Sequence, residues 1–148
     1  MSAPLFPAPP ALSDEALGVR AWFADAQATV VMQVRASRMT EAVARYLVDV
    51  VYAEAVSRYV SKGRKARFLH DWRDVETYDP AGRDVLIQWG HASLHAAEEV
   101  IVCLGPKASP LVRIATTTGI GLLRMLGHEI RQVDDLDPLV APLATLVG

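Results

Sequence analysis

His91 and His95 stand four residues apart, a spacing that puts two imidazoles on one face of a helix. Two such rings can share a metal ion. A hydrolytic metal centre needs further ligands, and Glu98, Glu99 and the His70-Asp71 pair are the groups that could approach. The residues between the two histidines are Ala92, Ser93 and Leu94, so the glutamate of a His-Glu-x-x-His motif is missing. Helical periodicity sets the pair beside Asp84 and Gln88, on the polar flank of an apolar stripe. His91 and His95 therefore read as a solvated helix face, and a metal-dependent enzyme built on them is the weakest of the alternatives. No cofactor is implied.

Other chemistry is thinner. Asp71, Asp74, Glu76 and Asp79 could do acid–base work if one were buried, but clustered in a polar loop they read as solvated. Ser93 falls mid-helix and no Gly-x-Ser-x-Gly elbow is present. Cys103, the single cysteine, sits in the apolar run Val100-Ile-Val-Cys-Leu104 and reads as a buried thiol. Thr116-Thr-Thr-Gly-Ile-Gly121 has no lysine and falls inside a helix, where its small residues could allow close packing or line an apolar ligand pocket. No catalytic set emerges.

The elements that must position these groups follow from pattern. The first thirteen residues carry Pro4, Pro7, Pro9 and Pro10, which predicts a flexible arm over residues 1–15, ahead of one domain over 16–148. Segments 16–23 and 28–34 predict an antiparallel hairpin turning near Asp25-Ala26-Gln27. Thr40 caps a long helix that runs to about Ser61 and stops at Gly63, with Glu41/Arg45 and Glu54/Arg58 as favourable pairs. Its apolar residues, among them Val43, Leu47, Val50, Val51, Val56 and Tyr59, cover more than one face, so a second subunit could cover it. Phe68-Leu69 marks a third strand and Val100 to Leu104 a fourth. A helix from Pro80 to about Ala97 lies between them, with Val85, Trp89, Ala92 and Ala96 as its stripe.

Ser109-Pro110 opens a third helix ending near Gly127, Glu129 to Val133 forms an edge-like strand, and Asp137-Pro138 opens the last helix. Asp79-Pro80, Ser109-Pro110 and Asp137-Pro138 repeat one device, an N-cap acceptor before proline at the first helical position. The order ββαβαβαβα predicts an α/β fold with a single mixed, largely parallel sheet and helices packed on it.

Composition narrows the role. With 148 residues, 51% hydrophobic and 22% charged, the chain can bury a full core. A net charge of −2, with basic residues scattered apart from Lys62, Arg64, Lys65 and Arg67, gives no nucleic-acid footprint. No apolar stretch reaches the ~20 residues of a membrane span. No signal-peptide pattern opens the chain, and with one cysteine a reducing cytoplasm is the expected location.

The element order and the segment from Phe68 to Leu86 resemble the STAS fold of anti-sigma-factor antagonists and their SpoIIAA-like relatives. That family has a strand ending in Asp, a short loop, and an Asp-Ser-Ser-Gly-like turn opening a helix. Asp71 matches the strand-end residue, Asp79-Pro80-Ala81-Gly82 the turn, and Val85-Leu86 the apolar pair that follows. The resemblance implies a non-catalytic protein–protein interaction module of bacterial signalling. Its partner-binding surface would be the loop and first helical turns, with Asp71, Trp72, Arg73, Tyr78, Asp79, Ala81 and Gly82. In switching members a serine of the turn is phosphorylated, which places charge at a helix N-terminus and can break a docked interface. Ala81 and Pro80 replace the serines, so no switch is expected at this turn, and Thr77 and Tyr78 are the nearby hydroxyls. The resemblance implies a protein partner, and a homodimer is allowed. A carrier of a small ligand, lipid or nucleotide, is the alternative.

Overall fold

A computed structural model describes residues 3–147. The strands are β1 (Leu12–Asp14), β2 (Val19–Ala24), β3 (Thr29–Val34), β4 (Arg38–Met39), β5 (Ala66–Trp72), β6 (Thr77–Tyr78), β7 (Ala97–Leu104) and β8 (Ile130–Val133). Six of them form one sheet in the order β1-β2-β3-β5-β7-β8. The first three pair antiparallel, and β3, β5, β7 and β8 pair parallel. The α/β class and the mixed sheet agree with expectation.

The predicted hairpin is β2–β3, with Trp22 opposite Val31. Its turn is a single 3-10 turn over Asp25–Gln27, closed by Ala28 in the left-handed region at φ 47. β3 is buried along its whole length, as a central strand of Val and Met should be.

The long helix comprises α1 (Glu41–Tyr46), a π-helical segment (Leu47–Tyr52) and α2 (Ala53–Arg58). Thr40 caps it, its hydroxyl accepting from the Val43 amide at 3.2 Å, and Gly63 ends the following turn at φ 80. Leu47, Val51, Ala55 and Tyr59 are all buried at a spacing of four. In a pure α-helix of 3.6 residues per turn that spacing drifts off one face. The wider π turn takes up the drift. Most of the helix's apolar surface is thus covered within the chain, and only Val50 and Val56 among its large apolar residues are exposed.

α3 (Pro80–Ser93) and α4 (Pro110–Met125) are the two later crossovers. The Ser109 hydroxyl accepts from the Val112 amide at 3.2 Å, as a cap before proline should. α3 ends at Ser93, passes through a 3-10 turn and enters β7 at Ala97, three residues before the predicted strand start; Ala92 is exposed, outside the core stripe. The last helix, α5 (Asp137–Val140), departs from the repeated device. Asp137 is already helical, and the Asp135 carboxylate accepts from its amide at 3.0 Å.

The pleat divides the core in two. Val30, Met32, Phe68, Val100 and Val102 face the long helix, α3 and α4. Val31, Leu69, Ile101 and Cys103 face Phe6, Leu136, Val140 and Leu143. Each fully buried aliphatic side chain contributes about 1.5–3 kcal/mol. Residues 3–15 do not form a free arm. Phe6 is buried edge-on against Trp22 at 5.3 Å, and the Trp22 indole N–H donates to the Ala8 carbonyl at 2.9 Å. Leu12–Asp14 joins the sheet as β1. Proline removed local helix and strand partners here without preventing the segment from packing as a strap. Among the described residues no helix is long and apolar enough to cross a membrane.

Candidate functional site

The carboxyl ends of β3, β5 and β7 lie on one edge of the sheet, where ligands of open α/β proteins bind. The loop leaving β5 is fastened there. β6 pairs parallel with β4, Glu76 and Thr77 donate to the Ser37 carbonyl at 2.7 and 3.1 Å, and the Asp79 amide donates to Met39 at 3.0 Å. Asp79 also accepts from Arg38 Nε at 3.2 Å. A Cβ at Gly82 would run into the Met39 and Thr40 backbone, so only glycine lets α3 start this close to β4.

This anchoring redistributes the residues assigned to a docking surface. Asp71 is buried, its two oxygens accepting from Arg73 Nε at 2.8 Å and Nη2 at 3.0 Å. The paired carboxylate raises the Arg73 guanidinium above its ordinary value. Trp72 and Gly82 are also buried, while Arg73, Tyr78 and Asp79 are half-buried. Ala81 alone of the seven is exposed. Asp71, Trp72 and Gly82 therefore offer no outward face to a partner. Trp72 is the last residue of a strand rather than part of a loop, and the His70 and Tyr78 rings meet it edge-on.

What Trp72 and Tyr78 do form is one end of a cleft. It holds about 310 Å³ between α3 and α4 and is almost wholly apolar. Val102 and Ile130 make its floor with Trp72; Arg83, Leu86, Ile87, Gly90 and His91 make the α3 wall; Ala115, Thr116, Gly119, Ile120 and Leu122, Leu123 and Leu126 line the α4 side. Gly90, Ala115 and Gly119 project little or no side chain into the space between the two helices. The hydroxyls of Tyr78 and Thr116 share a hydrogen bond of 2.9 Å at the Trp72 end, and burial pushes the phenol's pKa up. Ile87, Leu122 and Leu126 stand exposed around the cleft.

The metal constellation does not assemble. His91 lies on the cleft wall, whereas His95 has left the helix for a 3-10 turn. Glu99 is held between Arg67 at 3.1 Å and Arg131 at 3.0 Å. His70 is inside the core, with Nε2 2.6 Å from the Tyr52 hydroxyl. Among the described residues no group of three or more His, Cys, Asp or Glu could hold a metal. Cys103 is buried, and burial raises its thiol further from the reactive thiolate.

Sequence reasoning found Trp72, Tyr78 and the Thr116–Gly121 stretch but did not join them. The available signal was α4 itself, apolar around most of its circumference, which a half-exposed helix rarely is. Comparison with known proteins leaves the site to be read from its own geometry: no family model matches the chain, and no curated protein or solved structure gives a significant match.

Proposed function

We propose that this chain is a non-catalytic binding module whose site is the apolar cleft between α3 and α4, and that it takes up a small, largely apolar ligand. The cleft carries the reading. A concave apolar site with few polar groups is the usual form of a ligand pocket, and 310 Å³ falls within the range of such sites. Asp71, Asp79, Glu99 and His70, four of the polar groups that suggested chemistry, are engaged in core or loop bonding, which supports binding over catalysis. Gly119→Leu tests it. A Cβ there meets nothing within 4 Å, so a side chain would start into open space on an otherwise regular helix. Wild-type protein should enhance the emission of an apolar dye such as ANS, and Gly119→Leu should lose that binding while unfolding at or above the wild-type midpoint. Equal dye binding by both proteins removes the cleft from consideration.

A second reading rests on the outer face of α4. Leu111 is 75% and Met125 84% exposed, with Ile114 between them, an apolar stripe of the kind that marks interaction surfaces. It supports a STAS-like, cytoplasmic regulatory module without a serine switch, docking a protein partner or a second copy through α4 rather than through the loop after β5. Leu111→Glu with Met125→Glu should abolish partner capture or self-association and leave folding intact. Capture unaffected by both changes excludes this face.

A further inference from the structure

Resting on the cleft reading, we infer that the ligand is a single-chain carboxylate, a free fatty acid, lying along the cleft with its headgroup beside Arg83. The cleft has a long axis. Its α4 wall runs from Ala115 to Leu126, about 16 Å at 1.5 Å per residue. It also has a polarity. Trp72, Tyr78, Thr116 and Arg83 gather toward the end formed by the carboxyl terminus of β5 and the first turns of α3. Leu123, Leu126 and Ile130 close the other end, with exposed His91 beside them.

At the polar end the Tyr78 and Thr116 hydroxyls, each able to donate and accept, already bond each other, so the group left to satisfy there is a charge. Arg83 supplies positive charge, and among the described residues no acidic side chain lines the cleft. Arg83 pairs with its chain neighbour Asp84 at 3.6 Å, both side chains more than half exposed, a weak contact that leaves the guanidinium able to meet an anion. A carboxylate at this end brings the negative charge that complements Arg83, and its alkyl chain matches the leucines beyond. A cationic head would meet Arg83 and no complementary group.

Binding of dodecanoate and of dodecanol, measured by competition with a fluorescent apolar probe, tests the assignment. Because Arg83 is half exposed, wild-type protein should prefer the carboxylate by about fivefold. Arg83→Gln should bind both equally, Arg83→Lys should keep the preference, and Gly119→Leu should bind neither. Equal affinities in wild-type protein, both lost in Gly119→Leu, overturn the carboxylate assignment and leave the cleft as an apolar site. A preference that survives in Arg83→Gln overturns the headgroup position. Failure of wild-type protein to bind either compound overturns both this inference and the reading it rests on.

Discussion

The Tyr52 hydroxyl lies 2.6 Å from His70 Nε2 in the interior, while His70 Nδ1 lies 3.3 Å from the Ile101 carbonyl. A carbonyl can only accept, so Nδ1 carries the proton and Nε2 receives the Tyr52 hydrogen bond. The ring is thus satisfied in its neutral form. Burial presses its pKa down to about 4 from an ordinary 6.5.

That pair sets a pH dependence. Between pH 6.5 and pH 4 the unfolded chain binds a proton at His70 that the folded chain refuses, so stability rises with pH across this window. The contribution is complete above pH 6.5 and lost as pH falls through the folded value near 4, about 3 kcal/mol in all. Urea unfolding at pH 7 and pH 4.5 should show the decline, and His70→Gln should flatten it. A wild-type profile no steeper than that of His70→Gln contradicts a neutral, buried imidazole.

Breaking the Asp71–Arg73 pair should act on stability before it acts on binding. Arg73→Met strands a buried carboxylate, and removal of one partner from such a pair costs about 3 kcal/mol at neutral pH. The urea midpoint should drop accordingly while the cleft still binds apolar dye under native conditions. A variant of unchanged stability that no longer binds would return Arg73 to the list of contact residues.

Gly82→Ala should destabilise by about 2 kcal/mol, because its methyl meets backbone rather than a movable side chain. Gly105→Ala should behave alike, its methyl meeting the Arg73 backbone. Thermal unfolding of both, with Gly119→Ala as the control expected to be neutral or stabilising, checks whether the loop after β5 is clamped as described.

The proline-rich segment should matter to the fold. Phe6→Ala empties a site against Trp22, and loss of a buried phenylalanine costs about 3 kcal/mol or more. Calorimetry would register this as a fall in Tm, and an unchanged Tm would restore the flexible arm.

Legibility in the sequence followed the range of the interactions. Thr40, Ser109 and the Asp25–Gln27 turn were readable because a cap or turn is decided within a few residues. Asp137 looked the same by composition, yet Asp135 holds its amide and the helix begins one residue early. Trp72 and Asp71 fall in the segment that the family resemblance assigns to a docking loop. Their burial comes from β7 on one side and from Arg73 on the other, neither visible as a local pattern. The cleft was least legible of all, since Arg83 and Gly119 meet across it from helices some 36 positions apart. A missing side chain leaves no periodicity to detect.

The division of the core by the pleat gives the molecule a front and a back. Phe6, near the start of the described chain, and Leu143, near its end, are buried on the sheet face away from α3 and α4. A label or surface attached through the back face would leave the cleft between α3 and α4 open, so immobilised binding measurements should sample an unobstructed site.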